Sequence, residues 1–120
     1  MMNLYDKAHE MARMLKQTAE FQAFVNVQKQ VEQDLQATAM LKDFFKKQWE
    51  VQNENMRGTP NQENQSQLAN LYELMQHNSM LKEFFAAEMK FGRLITDIQE
   101  ILGDAITEGC QLMGKLQDEK

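Results

Sequence analysis

The sequence predicts an all-α fold of four to five helices, the last of them long and amphipathic, assembled as a helical homodimer. Three observations predict it. One proline and five glycines in 120 residues leave few helix breakers, and the rest is dominated by Gln, Glu, Lys, Met, Leu and Ala, which favour helix. Apolar residues recur at spacings of three and four, and no stretch alternates as a strand does. From Asn78 to about Thr107 a continuous ridge runs through Leu81, Phe84, Phe91, Leu94, Ile98, Ile101 and Ala105, widened by Phe85, Ile95 and Leu102. At about 1.5 Å per residue such a helix extends roughly 45 Å, whereas a compact chain of this length is about 35 Å across. Part of the ridge therefore lies outside any core one chain builds, and a second copy is expected to cover it. A break at Gly92 or Gly103, each costing about 1 kcal/mol against Ala in a helix interior, is the alternative.

The elements follow in order. Leu4, Ala8, Met11 and Leu15 form the inner stripe of a first helix over Asn3 to Gln17, with Asn3 as its cap. Thr18 caps a second, with Glu20 in its first turn and Phe21, Phe24, Gln28, Val31 and Leu35 on one face. Alternatively, the first helix flows into the second, since neither Gly nor Pro separates them. Asp34 opens a third helix with inner positions Ala37, Leu41, Phe44, Phe45, Trp49 and Met56. The pattern dissolves over about 52–67, QNENMRGTPNQENQSQ, the expected polar loop with Gly58 and Pro60. Thr59, Pro60 and Gln62 have the order of a capping box, so a fourth helix can start inside this run. Leu68, Leu71, Tyr72 and Met75 give its buried face, and Asn78 or Ser79 caps the long final helix. A single helical domain is expected over residues 1–107, with Gly109 and Gly114 leaving 108–120 as a frayed tail. Met40-Leu-Lys-Asp-Phe-Phe45 and Met80-Leu-Lys-Glu-Phe-Phe85 are near copies forty residues apart. They read either as a duplicated unit or as two core-facing helix starts of the same kind.

Composition sets aside several chemistries. The net charge is −5, so the overall field repels phosphate backbones. The exception is KDFFKKQW, where Lys42, Lys46 and Lys47 flank aromatics and read mainly as a solvated edge beside them. No apolar run approaches the roughly 18 residues of a membrane span. MMNLYDKAHE has charge where a secretory signal needs an apolar run. Together with a single cysteine, this places the expected residence in the cytoplasm. His9-Glu10 has Arg13 where a zinc helix needs its second histidine. His77 stands alone before the final helix, and Cys110 by itself cannot hold zinc or an iron–sulfur cluster. Ser66 lies in the polar loop and Ser79 reads as a helix start, Cys110 lacks a nearby cation to activate it, and no glycine opens a phosphate-binding loop. No catalytic residue, metal or cofactor is therefore expected. Ten methionines, several on helix stripes, suit an adaptable core or a seam for other helices.

The opening MNLYDKAHEMARMLKQT, the middle AMLKDFFKKQWEVQ, the junction LANLYELMQHNSMLKEFFAAE and the closing F-x-x-L-I-x-D-I-Q-E-I-L-G-D-A together resemble the YheA-like branch of the YlbF/YmcA family of small helical bacterial proteins. The resemblance spans residues 2 to about 106 and implies an all-helical chain that dimerises through its helices. It also implies kinship with the YlbF and YmcA branches, whose members act in a complex that modulates an endoribonuclease and thereby affects competence, sporulation and biofilm formation. Those relatives bind a cluster through cysteines near their C-termini. Here Cys110 is alone and beyond the shared region, so that site is not carried over.

The expected function is a non-catalytic homodimeric adaptor or regulatory protein acting through protein–protein interaction. Its interface would draw on Phe84, Phe91, Leu94, Ile98 and Ile101 with Phe44, Phe45 and Trp49. The alternative is an RNA-processing cofactor that modulates an endoribonuclease and touches RNA through Lys42, Lys46 and Lys47. An enzyme with a site assembled across the dimer from His9 and His77 is the remaining possibility.

Overall fold

The computed structural model describes residues 3–118. These form α1 (Leu4–Lys16), α2 (Ala19–Glu32), α3 (Leu35–Met56), α4 (Gln62–Met75), α5 (Ser79–Gly109) and α6 (Gln111–Asp118), with no strand among the described residues. The protein is all-α, with six helices where four to five were expected.

Local chemistry sets most boundaries. Asn3 accepts from the Asp6 N–H at 2.9 Å while the Asp6 carboxylate accepts from the Asn3 N–H at 3.4 Å, a reciprocal capping box for α1. Thr18 separates α1 from α2: its hydroxyl donates to the Leu15 carbonyl at 2.7 Å and accepts from the Phe21 N–H at 3.2 Å, closing one helix and opening the next. Asp34 accepts from the Ala37 N–H at 3.0 Å to start α3. Asn78 accepts from Met80 and Leu81 at 3.0 and 3.2 Å to start α5.

The polar segment is shorter than its composition suggests. α3 runs on through Met56 and ends in a Schellman motif: Gly58 N–H donates to Asn55 and Thr59 N–H to Glu54. Gly58 sits at φ +75°, where a side chain would be strained. The cap of α4 is Asn61 rather than Thr59, its side chain accepting from the Asn64 N–H at 3.1 Å. Cross-helix bonds keep the polar ends of both helices ordered. Lys47 donates to Asn64 at 3.2 Å, Asn64 to Glu54 at 2.8 Å, and Gln65 to Asn55 at 3.3 Å.

Two antiparallel helix pairs result. One is the α3–α4 hairpin. In the other, α2 lies along the first half of α5: Phe21 meets Phe91 at 5.9 Å, and Phe24 meets Phe84 and Phe91, each at 5.6 Å. α1 continues along the second half of α5, where Ala8, Met11, Ala12 and Leu15 face Ile95, Ile98 and Gln99 across a shallow groove. The pairs join at one core of Val27, Val31, Ala37, Leu41, Phe44, Met75, Leu81 and Phe84. Both hexapeptide copies lie there. Leu41 and Leu81 are buried, as are Phe44 and Phe84, and Phe44 meets Phe85 edge-on at 5.5 Å.

α5 is unbroken over 31 residues, with neither Gly92 nor Gly103 interrupting it. A methyl group at Gly92 would meet nothing within 4 Å. Gly92→Ala is therefore expected to stabilise the fold by about 0.5–1 kcal/mol through helix propensity alone. A urea midpoint that falls would show that the helix needs flexibility there. Beyond Thr107, where fraying was expected, α5 reaches Gly109, the Cys110 N–H donates to the Thr107 carbonyl, and α6 follows.

The molecule is flat, 50 × 43 × 16 Å, with a radius of gyration of 19.5 Å, against about 13.6 Å for a compact chain of this length. Its accessible surface is 9883 Å², whereas folded monomers of this mass expose about 6,700 Å².

Candidate interaction surface

The expected interface residues divide by position along their helices. Phe44 and Phe84 belong to the protomer's own core. Phe91 is half-buried against Phe21 and Phe24. Leu94 and Ile98 are half-buried, with Ile98 lining the groove beside α1. Phe45, Trp49 and Ile101 are open: Trp49 is 65% and Ile101 70% exposed. The structure thus gathers Phe44 and Phe84 at the junction of the helix pairs, leaves Phe91, Leu94 and Ile98 half-buried along α5, and opens Phe45, Trp49 and Ile101 in two surface regions.

The first region is the distal half of α5. Leu102 and Ile106 are exposed along with Ile101, and Leu112, Met113 and Leu116 of α6 carry apolar surface onward. The α6 residues were missed in the sequence because two glycines suggested fraying; their one-turn spacing was the available signal. At 100° per residue, Asp97, Glu100, Asp104 and Glu108 fall within an arc of about 80°, and all four are exposed next to Ile101.

The second region is the outer face of α3. By the same rotation, Lys42, Phe45, Lys46, Trp49 and Met56 share an arc of about 100°, opposite Phe44 and Val51. All five are exposed. Asp43, Glu50 and Glu54 lie to one side, and Lys47 goes with them: its ammonium is 3.2 Å from Glu50 and donates to Asn64 at 3.2 Å. The basic flank expected from three lysines is therefore a pair, Lys42 and Lys46.

The chemistry-bearing side chains lie apart among the described residues. No group of three or more His, Cys, Asp or Glu able to hold a metal occurs among the described residues. His9, on α1, and His77, after α4, are both exposed. His9 lies by the Gln99 region of α5 and His77 by its start, roughly 30 Å apart along the helix, so one protomer does not bring them together. Cys110 is exposed and unbridged. No helix of the described residues is long and apolar enough to cross a membrane.

Fold and surface together define a thin, all-helical protein with open apolar helix faces. The family model for the control of competence regulator ComK, YlbF/YmcA, matches residues 4–107, and the chain belongs to this family. A UPF0342 protein of Caldicellulosiruptor bescii is 33% identical over 115 residues, covering 95% of this chain and 97% of the relative. One of Clostridium novyi is 36% identical over 108 residues, covering 89% and 95%. Among solved structures, the crystal structure of Bacillus subtilis RicA in complex with RicF matches with a TM-score of 0.60 at 18% identity, covering 88% of this chain and 95% of that one. At that identity the likeness establishes a shared fold.

Proposed function

We propose that the protein is a non-catalytic helical homodimer of the cytoplasm that serves as an adaptor or regulatory subunit, in the YheA-like branch of its family. The observation that carries this reading is the surface left open by one chain. Its excess over a compact monomer, about 3,200 Å², is more than the roughly 1,000–2,500 Å² per partner buried in obligate dimers. Ile101, Leu102 and Ile106 contribute a contiguous part of the open apolar surface on α5. The RicA–RicF crystal structure supports a protein-contact role, since a related fold is there found in a protein complex.

Mass measurement by light scattering at micromolar concentration tests the reading. The expected particle has about twice the 14.1 kDa chain mass, and a folded particle of single-chain mass would overturn it. RNA contact is the competing reading, motivated by Lys42 and Lys46 beside the exposed Trp49. With two cations on this face of a chain of net charge −5, no retention of RNA is expected even at low salt; retention abolished by neutralising both lysines would favour the competitor.

A further inference from the structure

We propose that the two copies are held in register by reciprocal charge pairing. The Lys42/Lys46 face of α3 on one copy receives the Glu100/Asp104/Glu108 line of α5 on the other, with Trp49 and Ile101 meeting beside it. This rests on the homodimer reading above and names the contact within it.

Each half of the pairing lacks a counterpart among the described residues. The ion pairs among the described residues are Lys7–Glu10 and Lys47–Glu50. Lys42 and Lys46 thus make none, and Glu50, one turn beyond Lys46, is engaged by Lys47. On α5 no cation occurs within four residues of Glu100, Asp104 or Glu108. The chain consequently displays a basic edge and an acidic edge, each bordered by an open apolar residue and neither neutralised among the described residues.

The spacings also match: Lys42 and Lys46 lie about 6 Å apart along α3, the same four-residue step that separates Glu100 from Asp104 and Asp104 from Glu108 on α5. In a two-fold dimer a contact between two different patches is made twice, so one basic and one acidic edge per chain satisfy both copies. Such pairing specifies register and opposes other alignments of two oily helices, because like charges brought together are costly. The area required is present, as the surface excess exceeds one partner's share of an obligate interface.

The test is a charge-reversal cycle read by sedimentation of the full chain at low salt. K42E/K46E and E100K/D104K are each expected to raise the dimer dissociation constant at least about tenfold, and the four changes combined to restore most of the loss. All altered residues are exposed, so circular dichroism should show unchanged helicity. The wild-type dissociation constant should also rise with salt as the pairs are screened. A wild-type dimer whose constant is indifferent to salt and to either reversal, or a combination no tighter than its parents, overturns the pairing while leaving the homodimer standing. A folded wild-type monomer overturns both.

Discussion

Ile101→Glu is expected to yield a folded monomer. The side chain is 70% exposed in the protomer, so a carboxylate there stays solvated and should change single-chain stability by no more than about 0.5 kcal/mol. In the proposed seam the same carboxylate is pressed against Trp49 and added to an acidic line that already engages Lys42 and Lys46, so it has no cation of its own. An unpaired buried charge costs about 3–5 kcal/mol, and 3 kcal/mol corresponds to roughly a 150-fold weaker dimer. Light scattering would show the mass halve while circular dichroism keeps its helical amplitude. If the variant remained dimeric at micromolar concentration, distal α5 would not be the seam.

Leu81→Ala should act in the opposite way, on folding. Leu81 is 0% exposed and packs within the core that joins the two helix pairs. Removing its branched end leaves a cavity where α2, α3 and α5 meet. The expected loss is about 3 kcal/mol, transfer and cavity terms together, seen as a lower urea midpoint at fixed protomer concentration. Leu35→Ala is the control: Leu35 is 85% exposed, and its truncation should move stability by less than about 0.5 kcal/mol. Equal effects at the two positions would contradict the location of the core.

The difference between these variants marks what the amino-acid order discloses. Helix starts at Asn3, Thr18 and Asp34, and at Asn78 as one of two candidates with Ser79, were legible because an N-cap joins residues two or three apart in sequence. The end of α3 was not. Asn53, Glu54 and Asn55 read as loop by composition, and bonds from Asn64 and Gln65 on the facing helix help hold that end. Such bonds depend on a hairpin that local patterns do not specify. The cap of α4 moved from Thr59 to Asn61 for a related reason: Gly58 and Thr59 are engaged in closing α3.

The surface was legible in outline and ambiguous in detail. Periodicity places Phe84 and Ile101 on one broad ridge, yet only tertiary structure shows that Phe84 meets Phe24 at 5.6 Å while Ile101 is left open. Likewise Phe44 and Phe45 look equivalent in sequence. The 100° step between them sends Phe44 into the core and leaves Phe45 on the outside. The separation of Lys47 from Lys42 and Lys46 follows from Glu50 and Asn64, whose arrangement emerges only when α3 and α4 pack.

The central claim is that a second copy covers the outer ridge of α5, and carbene footprinting resolved to single residues measures that cover directly. In the wild-type protein at micromolar concentration, Ile101, Leu102 and Ile106 should label weakly, and Ile101→Glu should raise labelling at the latter two. Strong labelling of all three in the wild type would contradict it.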